Sequence, residues 1–68
     1  MPFVNVKITK EDVTSEQKAA VIKGITELLQ SVLGKDPETT HIVIDEVNTD
    51  NWGYRGVQTT EIRSKGVK

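Results

Sequence analysis

The residue with the most unusual chemistry in this chain is Pro2, which directly follows the initiator Met1. Removal of Met1 would leave Pro2 with a free secondary amine, whose nitrogen keeps a lone pair while the ring holds it in place. Such an amine acts as a general base near neutral pH when its pKa is lowered. The alternative is structural, because a proline can begin a strand at little cost in hydrogen bonds. The catalytic interpretation therefore requires that Met1 be removed.

The segment around Trp52 supplies the second set of candidate residues. Trp52 and Arg55 lie three positions apart in a glycine-containing stretch. An apolar wall and a nearby cation would both lower the pKa of a prolyl amine. A cation would also stabilise a substrate carboxylate or a developing enolate oxygen. Each residue has a structural alternative: Trp52 as a core or interface anchor, and Arg55 as the partner of a carboxylate across a subunit interface.

The remaining side chains give no indication of a disulfide, a metal site or a pair of catalytic carboxylates. The chain has no cysteine and a single histidine, His41, so neither a disulfide framework nor a structural zinc site is expected. Asp45 and Glu46 are adjacent carboxylates, but neighbouring strand residues point to opposite faces, so they are not expected to share an acid–base site. We therefore predict no metal site, and we interpret Glu46 as a surface or interface charge.

Length and charge restrict the partners of the chain. Its 68 residues carry nine basic and ten acidic side chains, spread along the sequence, for a net charge of −1. This balance predicts no binding to nucleic acid or to an anionic membrane. No apolar run approaches the roughly 20 residues that span a bilayer, and no signal-peptide pattern is present, so a cytoplasmic protein is expected. A single domain over residues 1–68 would bury only about 60% of its unfolded surface, which favours oligomerisation.

Two elements follow from periodicity. Residues 3–8 predict a half-buried strand, because every second residue, from Pro2 through Val4 and Val6 to Ile8, is apolar, whereas the other side carries Phe3, Asn5 and Lys7. Thr14 and Gln17 form a capping-box pattern, and Gly34 supplies a left-handed C-terminal cap, so a helix is expected from about Ser15 to Leu33. Gly24 inside this helix indicates either close packing against a backbone or a tolerated strain. The apolar stripe of the helix consists of Val21, Ile22, Ile25, Leu28, Leu29, Val32 and Leu33.

The second half of the chain predicts a second strand and a short arm. Residues 40–47 are rich in β-branched side chains and apolar on both faces in the middle, so both faces should be covered, one by the helix and the other by a second subunit. The order strand, helix, strand predicts an α/β (α+β) fold, built on a βαβ unit with two parallel strands and one long helix. Residues 52–62 predict a C-terminal hairpin or extended arm, followed by a frayed basic tail from Arg63 to Lys68.

Four short motifs follow one another along the chain: Pro2-Phe3, Ser15-Glu16-Gln17-Lys18, Ile42-Val43-Ile44-Asp45-Glu46-Val47, and Trp52-Gly53 with Gly56. Taken together and in this order, they resemble the 4-oxalocrotonate tautomerase family over nearly the whole chain. The resemblance implies the tautomerase fold, with short βαβ subunits that assemble as dimers and then hexamers. It also implies that Pro2, exposed by methionine removal, transfers a proton in an enol or unsaturated keto acid without a cofactor.

The sequence departs from that family at the arginines that hold its substrate. The loop before the helix, where the family often carries an arginine, reads Lys10-Glu11-Asp12-Val13 and is one residue longer. The second family arginine aligns with His41, which cannot form a bidentate pair with a carboxylate. The aromatic wall is retained as Trp52. Arg55 is the expected replacement cation, with Lys10 and Arg63 as further candidates.

Three functional hypotheses follow. The first is a tautomerase that acts on a small enol or unsaturated 2-oxo acid, with Pro2 as base, Trp52 as apolar wall, and Arg55 or His41 as polar helper. The second is a hydratase or dehalogenase of unsaturated acids, in which protonated Pro2 acts as acid and a carboxylate would have to activate water. The third is a non-catalytic subunit that pairs with a related chain. The first hypothesis expects a small-molecule substrate and a homo-oligomer, either a dimer or a hexamer.

Overall fold

The computed structural model describes residues 1–65 and confirms the βαβ unit. Strand β1 (Phe3–Thr9), helix α1 (Ser15–Leu33) and strand β2 (His41–Val47) follow one another along the chain. The two strands pair in parallel, with Phe3 opposite His41 and Thr9 opposite Val47. Two parallel strands need a crossover that returns the chain to the end of the sheet where the first strand begins, and α1 provides this crossover.

Helix α1 begins and ends as the sequence predicts. The Thr14 hydroxyl accepts a hydrogen bond from the Gln17 N–H at 3.1 Å, and the Gln17 side-chain oxygen accepts one from the Thr14 N–H at 2.9 Å. Gly34 has φ = 67°, and its N–H donates to the Gln30 carbonyl, which ends the helix. The close packing expected at Gly24 is not found within the described chain, where a Cβ at that position would meet no atom within 4 Å.

The two faces of the β1–β2 pair differ in what covers them. Glu46 forms an ion pair with Lys18 of α1, so its face is the one that α1 covers. Asp45 accepts hydrogen bonds on the opposite face, from the Asn5 amide at 2.8 Å and from the Lys7 ammonium at 3.0 Å. The prediction that the two carboxylates point apart is therefore confirmed. No described residue packs as a second layer over this open face, where Phe3 and Val43 are exposed.

The C-terminal hairpin is confirmed, but the segment after it differs from the prediction. Strands β3 (Gly53–Tyr54) and β4 (Val57–Gln58) pair antiparallel. The chain then forms helix α2 (Thr59–Ser64) instead of continuing extended. The expected frayed tail is therefore wrong at Arg63 and Ser64, which are helical, and its last three residues lie outside the described part of the chain. Short 3₁₀ turns at Pro37–Thr39 and Thr49–Asn51 complete the connections.

A single chain encloses very little core. Among residues 1–65 only Ile62 and Thr59 are buried, both in α2. The radius of gyration is 15.3 Å, whereas a compact domain of this length has about 11 Å. The outer edge of the α1 stripe is exposed, at 59% for Leu28 and 68% for Val32. The elongated chain therefore leaves uncovered much of the apolar surface that a folded domain normally buries.

Candidate active site

Pro2 lies at the amino-terminal end of β1, held there by the neighbouring strand. Its carbonyl accepts a hydrogen bond from the backbone N–H of His41 at 3.0 Å, which extends the parallel ladder by one residue. Pro2 is half-buried, whereas the Met1 side chain before it is 88% exposed. The sequence indicates a role only for the side chain of His41, whereas its backbone N–H is the group that positions the proline.

The His41 side chain lies at the same end of the sheet as Pro2. It is exposed and pairs in register with Phe3, so it occupies the open face of the strand pair. Of the predicted site residues, His41 is thus the one that a single chain brings close to Pro2. Its imidazole could donate or accept a hydrogen bond from that position, since both ring nitrogens can take part.

Trp52 lies at the opposite end of the strands, where it helps to form an open groove of about 360 Å³. The half-buried indole is fixed through its backbone: the Trp52 carbonyl accepts a hydrogen bond from the Thr59 N–H at 2.7 Å. The adjacent Gly53 permits a close approach, because a Cβ there would lie 3.2 Å from the Val57 carbonyl oxygen. The groove is lined by Lys7, Ile8, Thr9, Glu11, Trp52, Tyr54, Thr59 and Arg63.

Arg63 is the arginine that shares this groove with Trp52. It projects from α2, forms an ion pair with Glu11, and its Nη2 donates to the Thr9 hydroxyl at 3.3 Å. The sequence predicts a frayed tail at Arg63 and favours Arg55 over it as the replacement cation. Because a six-residue helix shows too little periodicity to be recognised, no sequence signal indicated this position.

Arg55 occupies the tip of the β3–β4 hairpin. It has φ = 60° and is followed by Gly56 with φ = 74°, the two positive values of a tight hairpin turn. Its guanidinium lies 5.9 Å from the centre of the Tyr54 ring. It borders a separate pocket on the other side of α2, and within one chain it does not line the groove of Trp52.

The predicted residues therefore fall into two groups at opposite ends of the molecule. Pro2 and His41 lie at the start of the strands, and the groove of Trp52 lies beyond their ends. Six residue-to-residue steps along the strand separate Pro2 from Ile8, a distance of roughly 20 Å. One chain does not bring Pro2 and Trp52 into contact.

Charged groups at the groove end are arranged as pairs. Hydrogen bonding from Asn5, together with the hydrogen bond and charge of Lys7, holds the pKa of Asp45 below its usual value of 3.8. Lys7 therefore belongs to both regions, since it pairs with Asp45 on the open face of the sheet and also lines the groove.

Within residues 1–65, no three histidine or carboxylate side chains lie together in a way that could hold a metal ion. Neither described helix combines the length and apolarity needed to cross a membrane.

Comparison with known proteins agrees with this architecture. The family model described as tautomerase enzyme matches residues 2–61, beginning at Pro2. A probable tautomerase K2 of Dickeya dadantii is 57% identical over 65 residues, which cover 96% of this chain and 97% of that protein. The crystal structure of DmpI from Helicobacter pylori superposes with a TM-score of 0.86 at 35% identity, covering 93% of this chain and 97% of that one.

A further structure, from work on 4-oxalocrotonate tautomerase isozymes of Methylibium petroleiphilum, is 32% identical with a TM-score of 0.79. It covers 87% of this chain and 94% of the other. The fold is thus the one shared by 4-oxalocrotonate tautomerase homologues. The chain belongs to the tautomerase family, which makes it an isomerase-type enzyme.

Proposed function

We propose that this protein is a cofactor-independent keto–enol tautomerase that acts on a small enol or unsaturated 2-oxo acid, with Pro2 as general base. The observation that carries the proposal is the position of Pro2, half-buried at the head of β1 and fixed by the His41 N–H. A base whose place is fixed before the substrate arrives loses little orientational freedom during reaction. The Met1 side chain is 88% exposed, so its removal would sacrifice little buried apolar surface.

The proposed reaction needs only proton transfer. The Pro2 nitrogen takes the proton from the enol hydroxyl, and the electron pair of that O–H bond forms the carbonyl. The electrons of the C=C bond then take the proton from the prolyl ammonium, which forms a C–H bond and regenerates the free amine. One group serves as base and then as acid, and this is efficient when its pKa lies near the working pH.

The site that we propose is shared between copies of the chain. Pro2 and the groove of Trp52 are roughly 20 Å apart in one chain, too far for one small substrate to touch both. The exposed stripe of α1 and the open sheet face provide surfaces through which identical chains could associate. We therefore propose a homo-oligomer, a dimer or a hexamer, in which Pro2 of one copy faces the groove of another.

Trp52, Arg55 and His41 are the proposed substrate-binding residues. Trp52 offers an apolar wall within the groove, and His41 lies on the open sheet face, at the end of the strands where Pro2 is located. Arg55 holds a left-handed conformation that asparagine or glycine adopts more readily. An arginine kept in this conformation at an exposed hairpin tip supports a role for its guanidinium in contact with a ligand or a neighbouring copy.

The test of the base is the ketonisation of phenylenolpyruvate by protein whose intact mass shows that Met1 is absent. Pro2→Ala keeps a free amine but loses the ring, and we expect at least a tenfold lower kcat/KM. Lys35→Gln, an exposed change outside both groups of site residues, is the matched control and should retain the wild-type rate. Equal rates for Pro2→Ala and the wild type would exclude the proline mechanism.

A further inference from the structure

We propose that the groove beside Trp52 binds the carboxylate of a small organic acid through Arg63. In the absence of the acid, Glu11 forms an ion pair with the Arg63 guanidinium, and the acid displaces it. The inference rests on the proposed function only in taking the groove as the part of the shared site that receives the substrate. It names the cation that holds the substrate and the internal carboxylate that competes with it.

The position of Arg63 in the groove is fixed by its helix. Arg63 follows Thr59 by four residues on α2, so the two side chains share one face of the helix. Thr59 is 2% exposed and Ile62 is buried as well, so the helix is anchored on the side next to this face. A cation on an anchored helix can hold a ligand in one orientation, whereas one on a mobile arm cannot.

The two cations that line the groove are Lys7 and Arg63. Lys7 is paired with Asp45 of the open sheet face and Arg63 with Glu11, so an incoming carboxylate binds Arg63 by replacing Glu11. Trp52 adds an apolar surface beside the cations. An acid with a carboxylate at one end and a small apolar body matches both features.

Glu11 presents to Arg63 the same chemical group that a substrate would bring. The pair is accessible, with the side chains of Arg63 and Glu11 40% and 51% exposed. Exposed ion pairs contribute little to stability, so displacing Glu11 should cost an incoming acid no more than about fivefold in affinity. A bidentate arginine–carboxylate contact to the acid would compensate, since such pairs are among the stronger hydrogen-bonded interactions.

Thr59 supplies a second, independent observation. Its hydroxyl is buried and has no hydrogen-bond partner among the described residues, although the residue lines the groove. Buried hydroxyls nearly always have a partner, and an oxygen of a bound acid next to Arg63 would provide one. Thr59→Val keeps the shape of the side chain and removes the donor, so it tests this contact separately.

Binding can be followed through Trp52, because it is the only tryptophan of the chain. The probe is crotonate, titrated into the intact protein at an ionic strength held constant with sodium chloride. Crotonamide, which has the same size and no charge, is the ligand control. Arg63→Gln and Glu11→Gln test the two groups, and their controls are Lys65→Gln and Glu61→Gln, an exposed ion pair elsewhere on α2. Circular dichroism shows whether each variant is folded.

We expect crotonate to produce a saturable change in fluorescence and crotonamide to produce none. Arg63→Gln should weaken binding by at least about tenfold, and Thr59→Val by a few-fold. Glu11→Gln should strengthen it by about two- to fivefold. The two control variants should stay within about twofold of the wild type. Arg63→Lys, which keeps the charge but not the bidentate geometry, replaces Arg63→Gln if that variant does not fold, and should also weaken binding.

The proposal is overturned if crotonate and crotonamide behave alike, if the folded Arg63 variant binds crotonate as the wild type does, or if Lys65→Gln weakens binding equally. Loss of binding in Arg55→Gln with retention in Arg63→Gln would also overturn it and would assign the carboxylate to Arg55. Because the readout is binding, failure of the proline mechanism would appear separately, as equal ketonisation rates for Pro2→Ala and the wild type.

Discussion

Leu28→Glu provides a direct test of whether the uncovered surface of this chain is an interface. The described structure has an accessible surface of 5229 Å², whereas a folded monomer of its mass, 7.6 kDa, exposes about 4300 Å². The excess of about 900 Å² is close to the roughly 800 Å² that each partner contributes to a standard interface. The area is therefore sufficient for stable association between copies.

Leu28 lies within this uncovered surface, on the outer edge of the α1 stripe, and is 59% exposed in the single chain. If the chain were monomeric, a glutamate there would change the free energy of unfolding by no more than about 0.5 kcal/mol. If a second copy covers Leu28, the variant loses about 2 kcal/mol of apolar burial per site and must also desolvate a charge. For a domain of this size, that loss lowers the thermal midpoint by about 10 °C or more.

The assay combines molecular mass from light scattering at micromolar concentration with thermal unfolding followed by circular dichroism. Ala20→Glu is the matched control, because it adds the same charge to an exposed position on the polar side of α1. We expect an oligomeric wild type and control, and a dissociated, less stable Leu28→Glu. A monomeric wild type, or a Leu28→Glu variant with unchanged mass and midpoint, would refute the reasoning.

Two further predictions concern local structure. Thr14→Ala removes the side-chain half of the capping box and should lower the free energy of unfolding by about 1 kcal/mol, measured by urea denaturation. The Asp45 carboxylate, whose pKa Asn5 and Lys7 lower below 3.8, stabilises the fold above its unfolded pKa, and this contribution is lost as the pH falls through its folded pKa. In an NMR titration, Lys7→Gln should raise the pKa of Asp45, and an unchanged value would contradict the role of Lys7.

The elements that the sequence predicted well are those specified by nearby residues. The capping box at Thr14 and Gln17 and the left-handed Gly34 define α1 within one turn at each end, so its bounds were predictable without knowledge of the rest of the fold. The alternation of β1 and the β-branched run of β2 likewise reflect local period and composition. The parallel pairing then followed from the order of these elements.

Helix α2 was not predictable, because distant residues stabilise it. Its first N–H, from Thr59, donates to the Trp52 carbonyl, and the Thr60 hydroxyl donates to the Asp50 carboxylate at 2.5 Å. Neither contact leaves a pattern in residues 57–62, whose weak alternation favoured an extended arm. Expecting an extended arm in place of α2 affected the choice of cation, since the helix brings Arg63 to the groove and separates it from Arg55.

Mixed oligomers can test the proposal that the site combines residues from the two ends of the strands. Pro2 precedes β1, whereas Trp52 follows β2, and parallel pairing places the start of one strand and the end of the other at opposite ends of the sheet. If each site combines Pro2 of one copy with the groove of another, an equal mixture of Pro2→Ala and Trp52→Ala chains should form intact sites. Random pairing makes about one site in four intact, so co-expressed chains should recover about a quarter of the wild-type activity. A site contained within one chain would recover none, because every chain in the mixture carries one of the two changes.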